Sequence, residues 1–240
     1  MMVERLTYAY FMLLELGLFL LAQRILPGKR GLADLPRWQR GTLALAAFVG
    51  GTLGAKLPFA LGSSSGPFTW QAWLSDGKTV VAGLIGAYLA VEAAKWMLGI
   101  RVKTGDSFAV PLALAMAVGR WGCFCNGCCY GVPTALPWAV AFEQRDGQIA
   151  LCHPTQVYES LFHLTMAGVL LWMTVRDLLP RQRLKFYLIA YAVYRFLTEF
   201  IRPEPPWQLG LTFYQWACLV LAAGLVIQWQ LDRHPGPGSL

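Results

Sequence analysis

Seven apolar runs, each about as long as a lipid hydrocarbon core is thick, constrain this chain more than any motif does. They lie near residues 6–25, 41–62, 79–100, 107–124, 156–176, 185–202 and 210–231. A helix rises about 1.5 Å per residue, so about twenty apolar residues cross a core of roughly 30 Å. Inside lipid every backbone N–H and C=O must be satisfied within the spanning structure, which leaves helices as the solution for such runs. Charge agrees: only 14% of residues are charged and 56% are hydrophobic, where a soluble domain carries about 25% charged residues. The expected fold is all-α, a polytopic membrane protein of about seven transmembrane helices forming one integral membrane domain over residues 1–240. The first run is too long for the core of a cleavable leader and is expected to persist as a helix. A short flexible tail is expected over about 233–240.

Loop charge sets the expected orientation, because short loops rich in Lys and Arg stay cytoplasmic. The first loop holds Arg24, Lys29, Arg30, Arg37 and Arg40, the third Arg101 and Lys103, and the fifth Arg176, Arg181, Arg183 and Lys185. The second, "GSSSGPFTWQAWLSDGK", carries only Lys78. The amino terminus is therefore expected outside and the carboxyl terminus in the cytoplasm. The net charge of +7 follows from this bias and an anionic inner leaflet, with no nucleic acid required.

This orientation brings polar residues from distant segments to one depth. The fourth run ends outward in "GRWGCFCNGCCYG", residues 119–131, which places Arg120 in the outer half of the membrane. A long outer loop, about 125–155, follows and delivers His153 and then Glu159 at the start of the fifth helix. In the sixth run Tyr191, Tyr194, Arg195, Thr198, Glu199 and Arg202 share one helical face. Arg195 and Glu199, spaced i, i+4, would neutralise each other in a purely structural arrangement, with Arg202 reaching the headgroups. Taken together, the arginines favour a solvated or anion-holding cavity, because guanidinium forks onto phosphate oxygens and keeps its charge when buried. The phosphate available at that depth is a phospholipid headgroup. Glu92 and Lys95 read as an ordinary ion pair, and Gly50 with Gly54 as a close helix contact.

"GRWGCFCNGCCYG", "HPTQVYES" and "YRFLTEFIR", in that order, resemble the prolipoprotein diacylglyceryl transferase family of bacterial inner-membrane enzymes. "GGTLGAKLPFAL", "AGLIGAYLA" and "DSFAVPLALAMAVGR" support the likeness, which runs from about Tyr10 to about Gln215. The resemblance implies seven membrane helices with the amino terminus outside, and a multi-pass location in the inner membrane. It implies transfer of a diacylglyceryl group from phosphatidylglycerol to the lipobox cysteine thiol of a prolipoprotein, with glycerol phosphate released and no cofactor or metal. By resemblance Arg120 meets the lipid headgroup, Asn126 and Gly131 match later signature positions, and Arg195, Glu199 and Arg202 form the polar face of the sixth helix. Tyr10 resembles a tyrosine of the first helix, and Tyr194 and Glu159 join the substrate-binding set. The chain departs from the family as a cysteine-rich member. Val81 stands where the family carries a histidine followed by two glycines, with Ala82 after it, Cys123 replaces the signature asparagine, and Cys128 replaces an acidic residue.

For such a transfer the acceptor thiol must lose its proton before attacking the glyceryl carbon. His153 is the expected base by its intrinsic pKa, with Glu159 or Glu199 orienting it, while Arg120 and Arg195 stabilise the leaving phosphate. The cysteines leave three readings open. Cys123, Cys128, Cys129 and Cys152 could do thiol chemistry of their own. A disulfide from the motif to Cys152 would tie down the outer loop. A Cys/His metal site, for example Cys123, Cys128, Cys152 and His153, has enough ligands but no standard zinc-module spacing. A lipid-binding or lipid-translocating protein without covalent chemistry would use the same arginines.

Overall fold

The apolar runs fold as helices. The computed structural model describes residues 2–26, 31–61, 69, 73, 79–144 and 146–233. The expected tail beyond 233 and most of the second loop lie outside the described residues. Among those residues there are seven α-helices: α1 (Met2–Ile25), α2 (Arg37–Leu61), α3 (Val80–Met97), α4 (Asp106–Cys125), α5 (Thr155–Val175), α6 (Arg183–Thr198) and α7 (Phe213–Arg233). A 3-10 turn, Glu199–Ile201, extends α6. Four of the helices, α2, α3, α4 and α7, are long and apolar enough to cross a membrane.

Helix α4 is the hub. It packs against α1 on one side and α5 on the other, and also reaches α6, while α6 packs on α7 and α2 on α3. Its buried residues Ala109, Ala113, Ala115, Ala117 and Gly119 are small, which lets neighbouring backbones approach where no hydrophobic drive separates helix from lipid. Larger side chains fill the space opposite: Met166 and Leu170 of α5, Tyr187 and Tyr191 of α6, and Leu221 of α7. Val81, at the position where a histidine is expected from the family, is part of this apolar core at 1% exposure.

The α2–α3 contact is as close as Gly50 and Gly54 predict. A Cβ at Gly50 would lie 2.5 Å from the carbonyl oxygen of Gly86, and one at Gly86 would lie 2.9 Å from the Cα of Gly54. The Glu92–Lys95 ion pair forms at 3.0 Å.

Helices α4, α5, α6 and α7 pack antiparallel in succession, as the pairs Arg120–Glu159 and Ala117–Ser160, Glu159–Tyr191 and His163–Tyr187, and Phe196–Gln215 and Gln182–Asp232 show, which sorts their polar residues into two layers. At one end Asp232 of α7 holds Lys103 at 2.5 Å and also pairs with Lys185, while Arg183 binds Asp177 at 2.9 Å and Asp106 at 3.4 Å. At the other end lie the last turn of α4, the first turn of α5, the end of α6 and the start of α7. The connection from 126 to 154, on that second end, contains an antiparallel hairpin where the sequence predicts a loop. Strands β1 (Val140–Glu143) and β2 (Ile149–Cys152) pair Val140 with Cys152 and Glu143 with Ile149. Gly147 at φ +80° and a hydrogen bond from the Gln148 amide to Asp146 Oδ1 (3.1 Å) close the turn, the role that Asp-Gly plays in tight hairpins.

Candidate active site

The second polar layer is built on "HPTQVYES". Gln156, Glu159, Ser160 and His163 are spaced i, i+3, i+4 and i+7, so α5 turns all four towards α4 and α6. Each has a partner there. Gln156 Nε2 donates to the Cys128 carbonyl (2.6 Å), Ser160 Oγ to the Ala117 carbonyl (2.8 Å), and Thr155 Oγ1 to the Cys129 carbonyl (2.5 Å). Glu159 Oε1 accepts from Arg120 Nη2 at 2.5 Å and from the Tyr191 hydroxyl at 2.6 Å. His163 Nε2 lies 3.7 Å from the same oxygen, and its Nδ1 is 2.8 Å from the Tyr187 hydroxyl.

From α6, Arg195 pairs with Glu199 one turn on and also lies within electrostatic range of Glu159. Arg202 Nε approaches Glu199 Oε2 at 3.9 Å, so it turns inward and does not snorkel. Helix α7 contributes its start. Thr212 and Gln215 form a reciprocal capping box, with Thr212 N donating to Gln215 Oε1 (2.9 Å) and Gln215 N to Thr212 Oγ1 (3.2 Å). Thr212 Oγ1 then donates to Glu199 Oε1 at 2.9 Å, which anchors the carboxylate to the helix end. Tyr194 stacks on Phe162 with ring centroids 4.3 Å apart.

The arginines and carboxylates form two adjoining groups, Arg120 on Glu159 and Arg195 with Arg202 on Glu199, joined by the field of Arg195 at Glu159. They are closed over one another, not solvated: Arg120 is 7% exposed, Glu159 2%, Arg195 6% and Glu199 2%. The carboxylates supply inside the protein what water would otherwise give the guanidinium groups.

The remaining expected residues lie around this centre. His153 is half-buried beside the end of the hairpin, its Nδ1 3.3 Å from the Tyr158 hydroxyl and its carbonyl accepting from Gly131 N (2.8 Å). Gly131 has no room for a side chain, since a Cβ would meet Ile201 O at 2.6 Å and His153 Cβ at 2.8 Å. Asn126 caps the exposed end of α4. Tyr10 is 62% exposed on α1, its ring against Phe11; it is Glu15, not Tyr10, that α1 lays against Gly119 and within electrostatic range of Arg120. His163, Gln156, Glu15 and the Thr212–Gln215 cap were not singled out from the sequence. For the α5 pair the signal was present as a polar stripe at helical spacing.

All six cysteines are free thiols. The possible bridge from the motif to Cys152 is not formed: Cys152 is buried, with Gln144 Nε2 3.4 Å from its Sγ. The sulfurs of Cys123, Cys128 and Cys129 instead gather within 4.8 Å of one another, so neither Cys152 nor His153 belongs to that group. Arg120 Nη1 stands 4.0 Å from Cys123 Sγ. Hydrogen bonds from the Cys123 and Cys128 thiols, aided by the charges of Arg202 and Arg120, hold the Cys129 thiol well below its ordinary value despite burial.

Sequence comparison adds a family to this geometry. The family described as prolipoprotein diacylglyceryl transferase matches residues 6–230. Phosphatidylglycerol–prolipoprotein diacylglyceryl transferase 2 of Streptomyces coelicolor is 32% identical over 178 residues, covering 71% of this chain and 55% of that protein. The enzymes of Clostridium tetani and Frankia alni that carry the same name without a number are each 34% identical, over 68% and 69% of this chain and 68% and 45% of their own lengths. The chain thus spans about half the length of two of these three relatives. With a match running through nearly every helix, the chain belongs to the prolipoprotein diacylglyceryl transferase family.

Proposed function

We propose that the protein transfers a diacylglyceryl group from phosphatidylglycerol to a cysteine thiol of a prolipoprotein-like acceptor at the outer face of a bacterial inner membrane. The observation that carries this reading is the meeting of Arg120 and Arg195, from two helices, around Glu159 of a third. A headgroup phosphate competes with Glu159 and Glu199 for the two guanidinium forks, because its two non-bridging oxygens present the same paired acceptors as a carboxylate and gain further charge as the carbon–oxygen bond breaks. The acceptor sulfur then forms a bond to the glyceryl carbon while the carbon–oxygen bond to phosphate breaks. The electron pair leaves on glycerol phosphate, where Arg120 and Arg195 stabilise the developing charge. His153 takes the thiol proton from the half-buried side, and His163 and Tyr191 hold Glu159 once Arg120 turns to the lipid. Tyr194, Arg202, Asn126, Gly131 and Tyr10 complete the proposed lipid-facing set.

In this reading all seven helices cross the membrane as one domain, the amino terminus outside and the carboxyl terminus in the cytoplasm. The Lys and Arg loops at the opposite end from Arg120 support it. The relatives' names supply phosphatidylglycerol and the prolipoprotein.

The test is incubation of the purified protein with labelled phosphatidylglycerol and a lipobox peptide. Thioether product and released glycerol phosphate are expected, with a rate lowered at least about a hundredfold in Arg120→Ala, as for loss of a transition-state charge donor. Lipid binding without product would replace the enzyme by a lipid carrier.

A further inference from the structure

We propose that Cys123, Cys128 and Cys129 form a trithiolate site for a soft divalent cation of the zinc type, whose remaining coordination position takes the acceptor thiol. The second half rests on the transferase reading above; the site itself does not. Three thiolates holding zinc at about 2.3 Å set their sulfurs about 3.8–4.0 Å apart, whether trigonal or tetrahedral. The sulfurs already lie within 4.8 Å of one another, so closure needs movements of about 1 Å or less.

The backbone is shaped for this gathering. After α4 ends, Cys128 N returns to the Cys123 carbonyl (3.1 Å), Gly127 turns at φ +62° and Cys129 sits at φ +65°. A cysteine in that left-handed region costs of order 1–3 kcal/mol and persists where its surroundings hold it. Here Gln156 and Thr155 of α5 hold the carbonyls of Cys128 and Cys129, the type of outer support that fixes metal ligands. Positive charge stands close by: Arg120 Nη1 is 4.0 Å from Cys123 Sγ, and Arg202 acts on Cys129. Three thiolates and a divalent cation leave one net negative charge, which these arginines balance.

Among the described residues no fourth His, Cys, Asp or Glu joins the three sulfurs. Structural zinc sites close with four protein ligands, whereas reactive ones keep a position open. An acceptor thiol entering that position gives its proton to His153 and binds as thiolate. Its sulfur then attacks the glyceryl carbon, the carbon–oxygen bond breaks, and glycerol phosphate departs on Arg120. The cation keeps its charge throughout, and the product thioether, neutral and a weaker donor, leaves. A cluster thiol attacking the lipid directly would itself end as a thioether, which the next acceptor cannot displace, so the cluster serves better as a holder than as a nucleophile. The same arrangement bears on the apolar Val81: a metal-bound thiol needs a weaker base than a free one.

The experiment uses the full-length protein in detergent micelles under reducing conditions, stripped with chelator and titrated with zinc, and with cadmium for its sulfur charge-transfer band. Binding of about one equivalent is expected. Cys123→Ser, Cys128→Ser and Cys129→Ser should each weaken it by more than the about tenfold that loss of outer support costs. Cys125→Ser should bind like the unaltered protein, and Cys128→His, which restores a ligand, should bind more tightly than Cys128→Ser. Absence of metal, equal binding by Cys123→Ser, or a disulfide within the trio after mild reduction overturns the site. Peptide lipidation should fall at least about tenfold on chelation and return with zinc, by the same measure. Metal bound with that rate unchanged overturns the acceptor role alone; metal bound with no lipidation in any state overturns the transferase reading and leaves the site standing.

Discussion

Arg120 gives up nearly all its water and recovers its interactions through Glu159, itself held by Tyr191 and close to His163. Removing one partner of such a pair strands the other's charge, at a cost of about 3–5 kcal/mol, whereas replacing both by apolar side chains strands no charge and costs only the neutral hydrogen bond of the Tyr191 hydroxyl. Thermal unfolding should therefore rank Arg120→Met and Glu159→Met below the double variant in stability, with the double variant still inactive. Equal additive losses in that cycle would show that the pair is not coupled. At Cys129 the folded thiol has a lower pKa than the unfolded one, so its stabilising share is complete above the ordinary thiol value of about 8.5. That share is lost as pH falls through the lower folded value. With metal removed, thiolate absorbance of the unaltered protein minus that of Cys129→Ser should titrate below the ordinary range, and a difference centred near the free-thiol value would contradict the hydrogen-bonded arrangement. These residues were legible to different degrees. Arg120, Glu159, Arg195 and Glu199 announced themselves as charges in apolar sequence. The sulfur trio did not, because which cysteines meet depends on the φ of Gly127 and Cys129, which spacing alone leaves open.

Helices were readable because a run of about twenty apolar residues has one good solution in lipid. The hairpin was not, since its four-residue strands carry too short an alternation to stand out from loop, and its turn depends on Gly147. Helix contacts lie between these cases. Gly50-x-x-x-Gly54 pointed to a close approach, but the partner, Gly86 of α3, emerged only from the packed pair. The contrast with Gly224 makes this testable, since a Cβ there meets nothing within 4 Å. Gly86→Ala should lower the unfolding temperature, consistent with about 1–3 kcal/mol of overpacking. Gly224→Ala should be neutral or gain about 0.5–1 kcal/mol from helix propensity. A Gly86→Ala protein that melts with the unaltered one would mean that α2 and α3 are free to separate.

The antiparallel succession of α4 to α7 puts the Glu159 and Glu199 groups and the sulfur trio at one end and the Asp232 clamp, with Lys103, Lys185 and the Arg183 pairs, at the other. A membrane protein retains Lys- and Arg-rich loops on the cytoplasmic side, so this division supports the proposed placement of the Arg120 end outside, by an argument separate from the family. Cys125 provides a natural reporter, being exposed beside the motif and outside the sulfur trio. In intact cells stripped of their outer barrier, a membrane-impermeant thiol reagent should label Cys125, identified as signal lost in Cys125→Ser. A cysteine introduced at Arg181, exposed at the opposite end, should react only after the membrane is permeabilised. The reverse pattern would place the arginines and the sulfurs in the cytoplasm. That would remove the outer-leaflet lipid from reach while leaving the zinc site testable as it stands, because its ligands come from one chain reversal and do not depend on which compartment they face.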